Sequence, residues 1–471
     1  MATESKTCGR SALTPPETHP RGVGAPHPLL LQAAAWGGLA LSVLLAPAAG
    51  AASAPVAKEA LLAQASAAET ELRTNILPFW LKYARDREHG GFHAYIGEDL
   101  KPFDRLPRGA LLTSRILWTF SAVYRRYHEP EYLEMARWAY RDQRERFRDP
   151  QFGGLYWSVG ADGKPDDDHK QIYGQVFGVY GLAEYYRATH EQPALDEAIA
   201  LYRLVEKHAA DPVHGGYFDA LDRQWRRLSG PETNLLGEAP KSQNSHIHIL
   251  EAYTNLLRVW PDPGLKERQR ALVELTLARI IDARTHHLVL FMRDDWTPIG
   301  GDVSYGHDIE LSWLLVEAAE VLGDPGLIAR ARAEALAIAK VTDEQGIDRD
   351  GGVYMEGNAG GPTDTRKEWW EQAEAVVGFL NAYQISGDAR NFDHALRSWK
   401  FIQDKFVDRR HGDWYEEVER DGTPLLELKA RDGRTFPAAK LSVWKCPYHN
   451  SRCCLEQIER LRALAGEPES P

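Results

Sequence analysis

The sequence predicts an all-α protein folded as an (α/α)6 barrel, in which six helical hairpins form an inner and an outer ring. Three observations predict this fold. A glycine-rich turn recurs along the chain, tight turns join the helices in pairs, and two kinds of helix alternate. Regular recurrence of one helical unit is typical of repeat architectures.

The recurring turn consists of an aspartate followed within a few residues by Gly-Gly or Gly-Asp and an aromatic residue. Its five copies begin at Asp86, Asp149, Asp211, Asp348 and Asp408. A degenerate copy at residues 282–288 fills the one interval of double length. A period of roughly 60–70 residues indicates a repeated supersecondary unit.

Apolar residues at helical spacing predict twelve helices around these turns. They are placed at residues 58–84, 110–128, 130–147, 171–189, 193–208, 241–259, 264–281, 305–322, 325–341, 366–386, 389–406 and 449–464. Short turns at residues 128–130 and 323–325 make the helices of a pair antiparallel. Six pairs without a terminal capping repeat favour a closed ring over an open solenoid. We therefore predict a single catalytic domain over residues 57–465.

The helices that follow long loops differ from those that follow tight turns. The second kind is ordinarily amphipathic, whereas the first kind opens with reactive or aromatic side chains. The first kind is therefore predicted to form the inner ring, with its N-terminal ends at one mouth. The side chains brought together there would be Arg115, Tyr173, Asn244, His248, His307, Glu310, Trp370, Glu374 and His449.

Composition narrows the classes of protein to consider. With 43% hydrophobic and 26% charged residues, the chain is an ordinary globular protein. Its net charge of -12 and the lack of a basic run argue against a nucleic-acid partner. The four cysteines, at positions 8, 446, 453 and 454, form neither a disulfide framework nor a spaced zinc motif.

The N-terminal segment differs from the rest of the chain. Residues 29–52 are almost entirely apolar and end in small residues, which predicts a leader over residues 1–52 that is cleaved after Ala51. We therefore expect a periplasmic or secreted enzyme, with a membrane anchor or a misplaced start codon as the alternatives and a cytoplasmic location in the last case. No other segment is long and apolar enough to span a bilayer, so no stable membrane insertion is expected after leader removal.

The segment at residues 305–315 predicts the first turns of an inner helix. His307 and Glu310 are three residues apart and share a face. A histidine in the first turn lies at the positive end of the helix dipole, which lowers its pKa and favours a neutral imidazole that can act as a general base. The alternative is a histidine held by a carboxylate for stability alone.

Histidines on three different inner helices, at positions 248, 307 and 449, indicate a functional site. His246 cannot face the same way as His248, whereas Asn244 can. The three histidines with Glu310 could hold zinc. None of these histidines belongs to an H-x-x-x-H or H-E-x-x-H pair, however, and Arg115 would repel a cation. We expect no metal.

Two further alternatives involve sugars. Glu310 and Glu374 could flank a glycosidic bond as the two carboxylates of a glycoside hydrolase, but the histidines would then have no role. A non-catalytic sugar-binding barrel is the other alternative. A dinucleotide-binding motif is absent from the sequence, so no nicotinamide cofactor is expected.

These motifs resemble the N-acylglucosamine 2-epimerase superfamily, and within it the cellobiose 2-epimerase family. The resemblance covers nearly all of the chain after the leader, and its most specific segments are residues 244–255, 305–319, 369–383 and 444–452. It implies an (α/α)6 barrel that catalyses reversible, cofactor-free C2 epimerisation at the reducing-end sugar of a β-1,4-linked disaccharide of cellobiose or mannobiose type. Residues 425–435 depart from the family as an extra loop, and the leader is a second departure.

The resemblance also implies roles for single residues. The catalytic group would be His307, His449, His248 and Glu310, with His307 and His449 as the acid/base pair and Glu310 orienting His307. The sugar would be contacted by Arg115, Tyr173, Asn244, Trp370, Glu374 and Trp444. An aldose–ketose isomerase and a monosaccharide or N-acyl-hexosamine 2-epimerase remain alternatives on the same barrel.

The residues suit this chemistry. Epimerisation requires an open sugar, removal of the C2 proton and return of a proton to the other face. Histidine titrates near neutral pH and can serve as acid or base. Arg115 can stabilise the negative charge that develops on the enediolate.

Overall fold

The computed structural model describes residues 56–103, 105–230, 234, 239–429 and 435–467. Most of the described chain is helical. The α-helices are α1 (Lys58–Glu71), α2 (Leu77–Tyr83), α3 (Ala110–Tyr127), α4 (Pro130–Asp142), α5 (Ile172–Thr189), α6 (Gln192–His208), α7 (Gln243–Val259), α8 (Pro263–Leu275), α9 (Tyr305–Leu322), α10 (Pro325–Val341), α11 (Trp369–Ser386), α12 (Ala389–Phe401) and α13 (Tyr448–Leu464).

These helices form two concentric rings. The inner ring is α3, α5, α7, α9, α11 and α13; each packs against the next, and α13 packs against α3 to close the ring. Outside them, α4, α6, α8, α10 and α12 each pack on the inner helix that precedes them in the chain. The predicted (α/α)6 barrel is confirmed, with one refinement. Five pairs are consecutive hairpins, but the sixth joins α1 to α13, the first and last described helices.

Four predicted helices include a π-helical turn, in which the backbone widens locally, and a fifth such turn directly follows the helix predicted at 325–341. The turns are at Leu72–Ile76, Gln143–Phe147, Thr276–Ile280, Thr342–Gly346 and Ile402–Phe406. The last four stand at the ends of outer helices, directly before the aspartate turns. They mark the points where the chain leaves the outer ring towards the mouth of the barrel.

Short antiparallel strands surround the mouth. They are β1 (Ile96–Gly97), β2 (Arg108–Gly109), β3 (Ser158–Val159), β4 (Pro165–Asp167), β5 (Lys170–Gln171), β6 (Ala220–Leu221), β7 (Lys241–Ser242), β8 (Phe291–Met292), β9 (Pro298–Ile299), β10 (Glu356–Asn358), β11 (Gly361–Asp364), β12 (Lys367–Glu368), β13 (Glu417–Val418), β14 (Glu427–Lys429), β15 (Thr435–Pro437) and β16 (Ala439–Leu441). In the extra loop predicted at residues 425–435, β14 pairs with β15, and residues 430–434 lie outside the described chain.

The strands hydrogen-bond one repeat to the next. The strand that enters an inner helix pairs with the strand that follows the next aspartate turn, as Lys170 pairs with Leu221 and Lys241 with Met292. The first amide of the inner helix then donates to the same neighbouring segment, as Ile172 N does to Asp219 O at 2.8 Å. The N-terminal ends of the inner helices are thereby held at one level.

A buried cation anchors each of the five aspartate turns. In four repeats it lies two residues before an inner helix. The pairs are Arg108–Asp86, Lys170–Asp149 at 3.0 Å, Lys241–Asp211 at 2.7 Å, Lys367–Asp348 at 3.4 Å and Lys440–Asp408 at 2.8 Å. Burial alone would raise the pKa of Asp211, but Lys241 and two backbone amides lower it to about 2. The turn itself needs glycine, because Gly216 has a φ of 72° and a Cβ there would collide with the Trp296 ring.

The predicted leader, residues 1–52, lies outside the described residues and stays a prediction. In the described part of the chain, every helix is too short or too polar to cross a membrane.

The anchor predicts a stability effect. Lys241→Ala should lower the free energy of unfolding by about 3–5 kcal/mol, because it leaves a buried carboxylate without its cation. Chemical denaturation measures this. Lys340→Ala is the matched control, since Lys340 belongs to an exposed pair with Glu344 at 3.9 Å and should leave the midpoint nearly unchanged. Equal midpoints for the two variants would contradict the anchoring role of Lys241.

Candidate active site

The candidate residues on the inner helices all lie within the first six positions of those helices. Positions two and three form an upper layer of Tyr173, Asn244, His307, Trp370 and His449. Positions five and six form a lower layer of Arg115, His248, Glu310, Glu374 and Arg452. A rise of about 1.5 Å per residue places the lower layer about 5 Å deeper in the barrel. Trp444 joins the upper layer from the loop before α13.

The guanidinium of Arg452 lies at the centre of the lower layer. One of its nitrogens, Nη1, donates to Glu251 and to the hydroxyl of Tyr448. The other, Nη2, donates to Glu310 Oε1 at 2.6 Å and to Glu374 Oε1 at 2.7 Å. Arg452 is 1% exposed and lies among three carboxylates from three different helices.

Two of these carboxylates hold a histidine. His248 Nδ1 donates to Glu251 Oε2 at 2.9 Å, and His449 Nδ1 donates to Glu374 Oε1 at 2.7 Å. A carboxylate on Nδ1 fixes both the orientation and the tautomer of the imidazole. The Nε2 atoms are then the lone-pair nitrogens that can face a substrate.

His307 is held differently from the expectation. Its Nδ1 is 2.7 Å from Ser304 Oγ, and its ring packs on Trp370 with the ring centres 4.7 Å apart. The expected orientation of His307 by Glu310 is wrong, because the Glu310 carboxylate turns to the cation of Arg452 instead. The imidazole that the Glu310 carboxylate does approach is that of His449, whose Nδ1 lies 4.0 Å from Glu310 Oε1.

All three imidazoles are poised to be neutral at pH 7. The pKa of His307 is lowered to about 3, mainly by burial and then by its proximity to His248 and Arg115. Burial also lowers the pKa of His248, and it lowers that of His449 well below the usual range. This direction agrees with the one expected for His307, and desolvation is its largest cause.

Arg115 is the cation that faces the site without a carboxylate. Its Nη2 donates to the Tyr173 hydroxyl at 2.6 Å, its Nη1 is 3.6 Å from Cys446 Sγ, and its plane lies over the Phe177 ring at 4.3 Å. Its Nε has no acceptor among the described residues. A buried, uncompensated guanidinium suits an oxygen that becomes negative during a reaction.

A small cleft of about 30 Å³ opens beside the upper layer. It is lined by Gln171, Tyr173, Asp219, Asn234, Ser242, Asn244, Ser245 and Trp444. The Asn244 Oδ1 atom has no hydrogen-bond donor within the described chain. The Trp444 ring centre lies 6.1 Å from that of Tyr173 and 6.2 Å from that of Trp157. Aromatic faces beside an unsatisfied amide suit a sugar.

The described residues do not form the alternative zinc site. The donor atoms that converge here belong to Glu310, Glu374 and His449, all within 4.8 Å of one another, and neither His248 nor His307 joins them. The Nη2 atom of Arg452 already donates to both carboxylates and supplies their counter-charge.

The same geometry argues against a glycoside hydrolase. The two carboxylates of such an enzyme flank a cleft wide enough for the bond to be cleaved. Glu310 and Glu374 instead accept from one nitrogen of Arg452 and are almost fully buried. Their arrangement supports the histidines and does not face a substrate bond.

His246 is structural. Its Nδ1 donates to Ser242 O at 2.7 Å, and its Nε2 accepts from the Tyr217 amide at 3.0 Å. The expected divergence of His246 from His248 is therefore present.

Sequence reasoning missed Glu251 and Arg452. A signal for both exists, because each site histidine is followed three positions later by a charged residue: Glu251, Glu310 and Arg452. This spacing places both side chains on the same face of the helix.

Comparisons with known proteins identify the family of the chain. The family model of N-acylglucosamine 2-epimerase (GlcNAc 2-epimerase) matches residues 90–435. The cellobiose 2-epimerase of Bacteroides fragilis is 43% identical over 396 residues, covering 83% of this chain and 97% of that protein. That of Dictyoglomus turgidum is 37% identical with the same coverage. The solved cellobiose 2-epimerase of Bacillus thermoamylovorans B4167 has a TM-score of 0.77 and 38% identity, over 85% of this chain and 100% of that one.

The barrel, its paired histidines and these relatives define an isomerase of the carbohydrate 2-epimerase class. Within that class, the chain belongs to the N-acylglucosamine 2-epimerase superfamily and to its cellobiose 2-epimerase family.

The lowered histidine pKa values predict the pH profile. In the folded free enzyme the acid limb of kcat/KM should lie well below pH 6.5, because His307 stays neutral. Unfolded histidines titrate near their ordinary pKa, so stability should fall as the pH drops below about 6.5. Rates and circular dichroism measured together from about pH 4 to 8 separate the two effects. An acid limb near pH 6.5 in fully folded protein would contradict this prediction.

Proposed function

We propose that the protein reversibly epimerises C2 of the reducing-end sugar of a β-1,4-linked disaccharide, of cellobiose or mannobiose type. The observation that carries the proposal is the pair of imidazoles that α9 and α13 bring to the same tryptophan ring. His307 and His449 both contact the Trp370 ring, at 4.7 and 5.6 Å between ring centres. The relatives named cellobiose 2-epimerase support the choice of substrate class.

The proposed mechanism uses one imidazole on each face of C2. One of them is protonated when it takes the proton of the anomeric hydroxyl, as the ring opens and a solvent proton reaches the ring oxygen. The other accepts the C2 proton, while the electrons of the C2–H bond form the C1–C2 double bond and negative charge passes to O1. The first imidazole then returns a proton to the opposite face of C2.

Arg115 stabilises the enediolate in this scheme. Its free Nε and its position beside Tyr173 make it the donor for the developing oxyanion. Trp370 and Trp444 provide faces on which sugar rings can stack, and Asn244 offers an amide to a hydroxyl. No step requires a metal or an organic cofactor.

The histidine pair predicts a pattern of activity losses. His307→Ala and His449→Ala should each lose about 10²–10⁴ or more in kcat, because both directions of reaction need both groups. His246→Ala is the matched control, because His246 is a buried histidine two residues before His248 on α7. It should lose stability, because two buried hydrogen bonds are removed, yet keep most of kcat per folded molecule. An essential His246 beside a dispensable His449 would show that the pair is misassigned.

The route of the hydrogen gives an independent test. In heavy water, cellobiose should be converted to its C2 epimer with deuterium on C2, because the abstracted proton passes through an imidazole that exchanges with solvent. Mass spectrometry and chromatography of products from cellobiose, mannobiose, mannose and N-acetylglucosamine measure both label and specificity. Label on C1 of a ketose would favour the isomerase alternative, and free monosaccharides from the disaccharides would favour a hydrolase. An epimer without carbon-bound deuterium, formed with no slowing of C2-deuterated substrate, would contradict proton transfer.

A further inference from the structure

Three buried carboxylates surround Arg452, which is the one cation that forms ion pairs with them in the described chain. Glu251, Glu310 and Glu374 come from α7, α9 and α11 and are at most 3% exposed. All three accept hydrogen bonds from Arg452, whose guanidinium carries a single positive charge. If every carboxyl were ionised, these three residues and Arg452 would together carry two net negative charges in the interior of the barrel.

The three carboxylates differ in their other partners. Glu251 also accepts from His248 and from the Tyr448 hydroxyl. Glu374 also accepts from Trp313 Nε1 at 3.0 Å and from His449 Nδ1 at 2.7 Å.

Glu310 has far fewer partners. It shares the Nη2 atom of Arg452 with Glu374, and its second oxygen, Oε2, is buried with no hydrogen-bond partner in the described chain. Among the three carboxyls, it is the least supported as an anion.

Two carboxylates at this distance cannot both remain ionised at low cost. The Oε1 atoms of Glu310 and Glu374 bind the same nitrogen and lie within 4.8 Å of each other. Repulsion between like charges and the loss of hydration both favour a proton on one of them. Because Glu374 has two further donors and Glu310 has none, the proton belongs on Glu310.

We propose that Glu310 is held as the neutral carboxylic acid, and that its proton keeps the neighbouring His449 available as a neutral base. Glu310 is then a positioning residue that acts through His449 and not through His307. This inference deepens the proposed function, on which the catalytic meaning of His449 rests, but the protonation of Glu310 itself can be tested without any substrate.

The charge balance explains why the proton matters. With Glu310 neutral, Glu251, Glu374 and Arg452 sum to one negative charge, which offsets the positive charge that His449 gains when it accepts a proton. With Glu310 ionised, a second negative charge 4.0 Å from His449 Nδ1 would favour a permanent imidazolium, which cannot act as a base.

The surrounding groups agree in direction. Burial raises the pKa of Glu310 well above its ordinary value, and the nearby charge of Glu374 adds to this. Burial likewise lowers the pKa of His449. The titratable and charged groups that face Glu310 or couple to it from the other helices are Tyr173, Glu251, Glu374, Tyr448, His449 and Arg452.

Infrared difference spectroscopy of the free enzyme at neutral pH tests the protonation state. Subtracting the Glu310→Gln spectrum from that of the wild type should leave a carboxylic-acid carbonyl band. Glu320→Gln is the matched control, because Glu320 lies on the same helix in a partly exposed pair with Arg332. Its difference spectrum should show only carboxylate bands. Carboxylate bands alone for Glu310→Gln would overturn the proposal. If that variant does not fold, Glu310→Met, which is also neutral, decides the question by the same bands.

Kinetics test the role of the proton. Glu310→Gln exchanges a neutral group for a neutral group, so it should lose about tenfold less kcat than Glu374→Gln, and the apparent pKa values of kcat should not move. Glu374→Gln removes the acceptor of His449 Nδ1 and should lose about 10² or more. Two results would overturn the proposal. One is an equal loss of kcat in the two variants. The other is a downward shift of about one pKa unit in the kcat profile of Glu310→Gln, which the removal of a real negative charge would cause. If no sugar is turned over, the proposed function fails while the infrared result stands independently.

Discussion

The active site depends on the guanidinium of Arg452. It lies where α7, α9, α11 and α13 meet. Because it is almost fully buried and pairs with three carboxylates, its position is tightly constrained. Glu251 and Glu374 each orient a histidine in turn, by accepting a hydrogen bond from its Nδ1 atom. One cation therefore sets the orientation of two imidazoles that come from different helices. Without it, three carboxylates would remain buried together, which is among the costliest changes a protein interior can suffer.

The level at which these helices begin is controlled separately, at the mouth. Buried lysines anchor four of the aspartate turns, and arginine Arg108 anchors the fifth. The strands that carry these cations run directly into the inner helices or their preceding loops. The same few positions in each helix therefore meet at the same depth, although the residues are more than 300 positions apart in the chain. A repeat that fixes only local geometry thus builds a site from six separate segments.

Much of this could be predicted from the sequence, since repeats and helical spacing are local signals. The aspartate turns, the alternation of helices and the candidate residues at the N-terminal ends were all visible. The partner of Glu310 was not, because the three-residue spacing shows that it shares a face with His307 but not which way its side chain turns. That choice depends on Arg452, which lies 142 positions away. The lysine partners of the aspartates were missed for the same reason, since ion pairing across a loop leaves no periodic pattern.

The two buried arginines of the site have opposite roles. Arg452 is surrounded by carboxylates, so its charge is neutralised within the protein, and it stabilises the arrangement of His248 and His449. Arg115 has only a tyrosine hydroxyl, a thiol and aromatic faces around it, so its charge stays available. In the proposed mechanism, the enediolate supplies the missing negative charge and loses it again when the proton returns to C2. A site that neutralised both arginines would bind the sugar without favouring the transition state, whereas an unneutralised Arg115 gains its counter-charge only as the reaction proceeds.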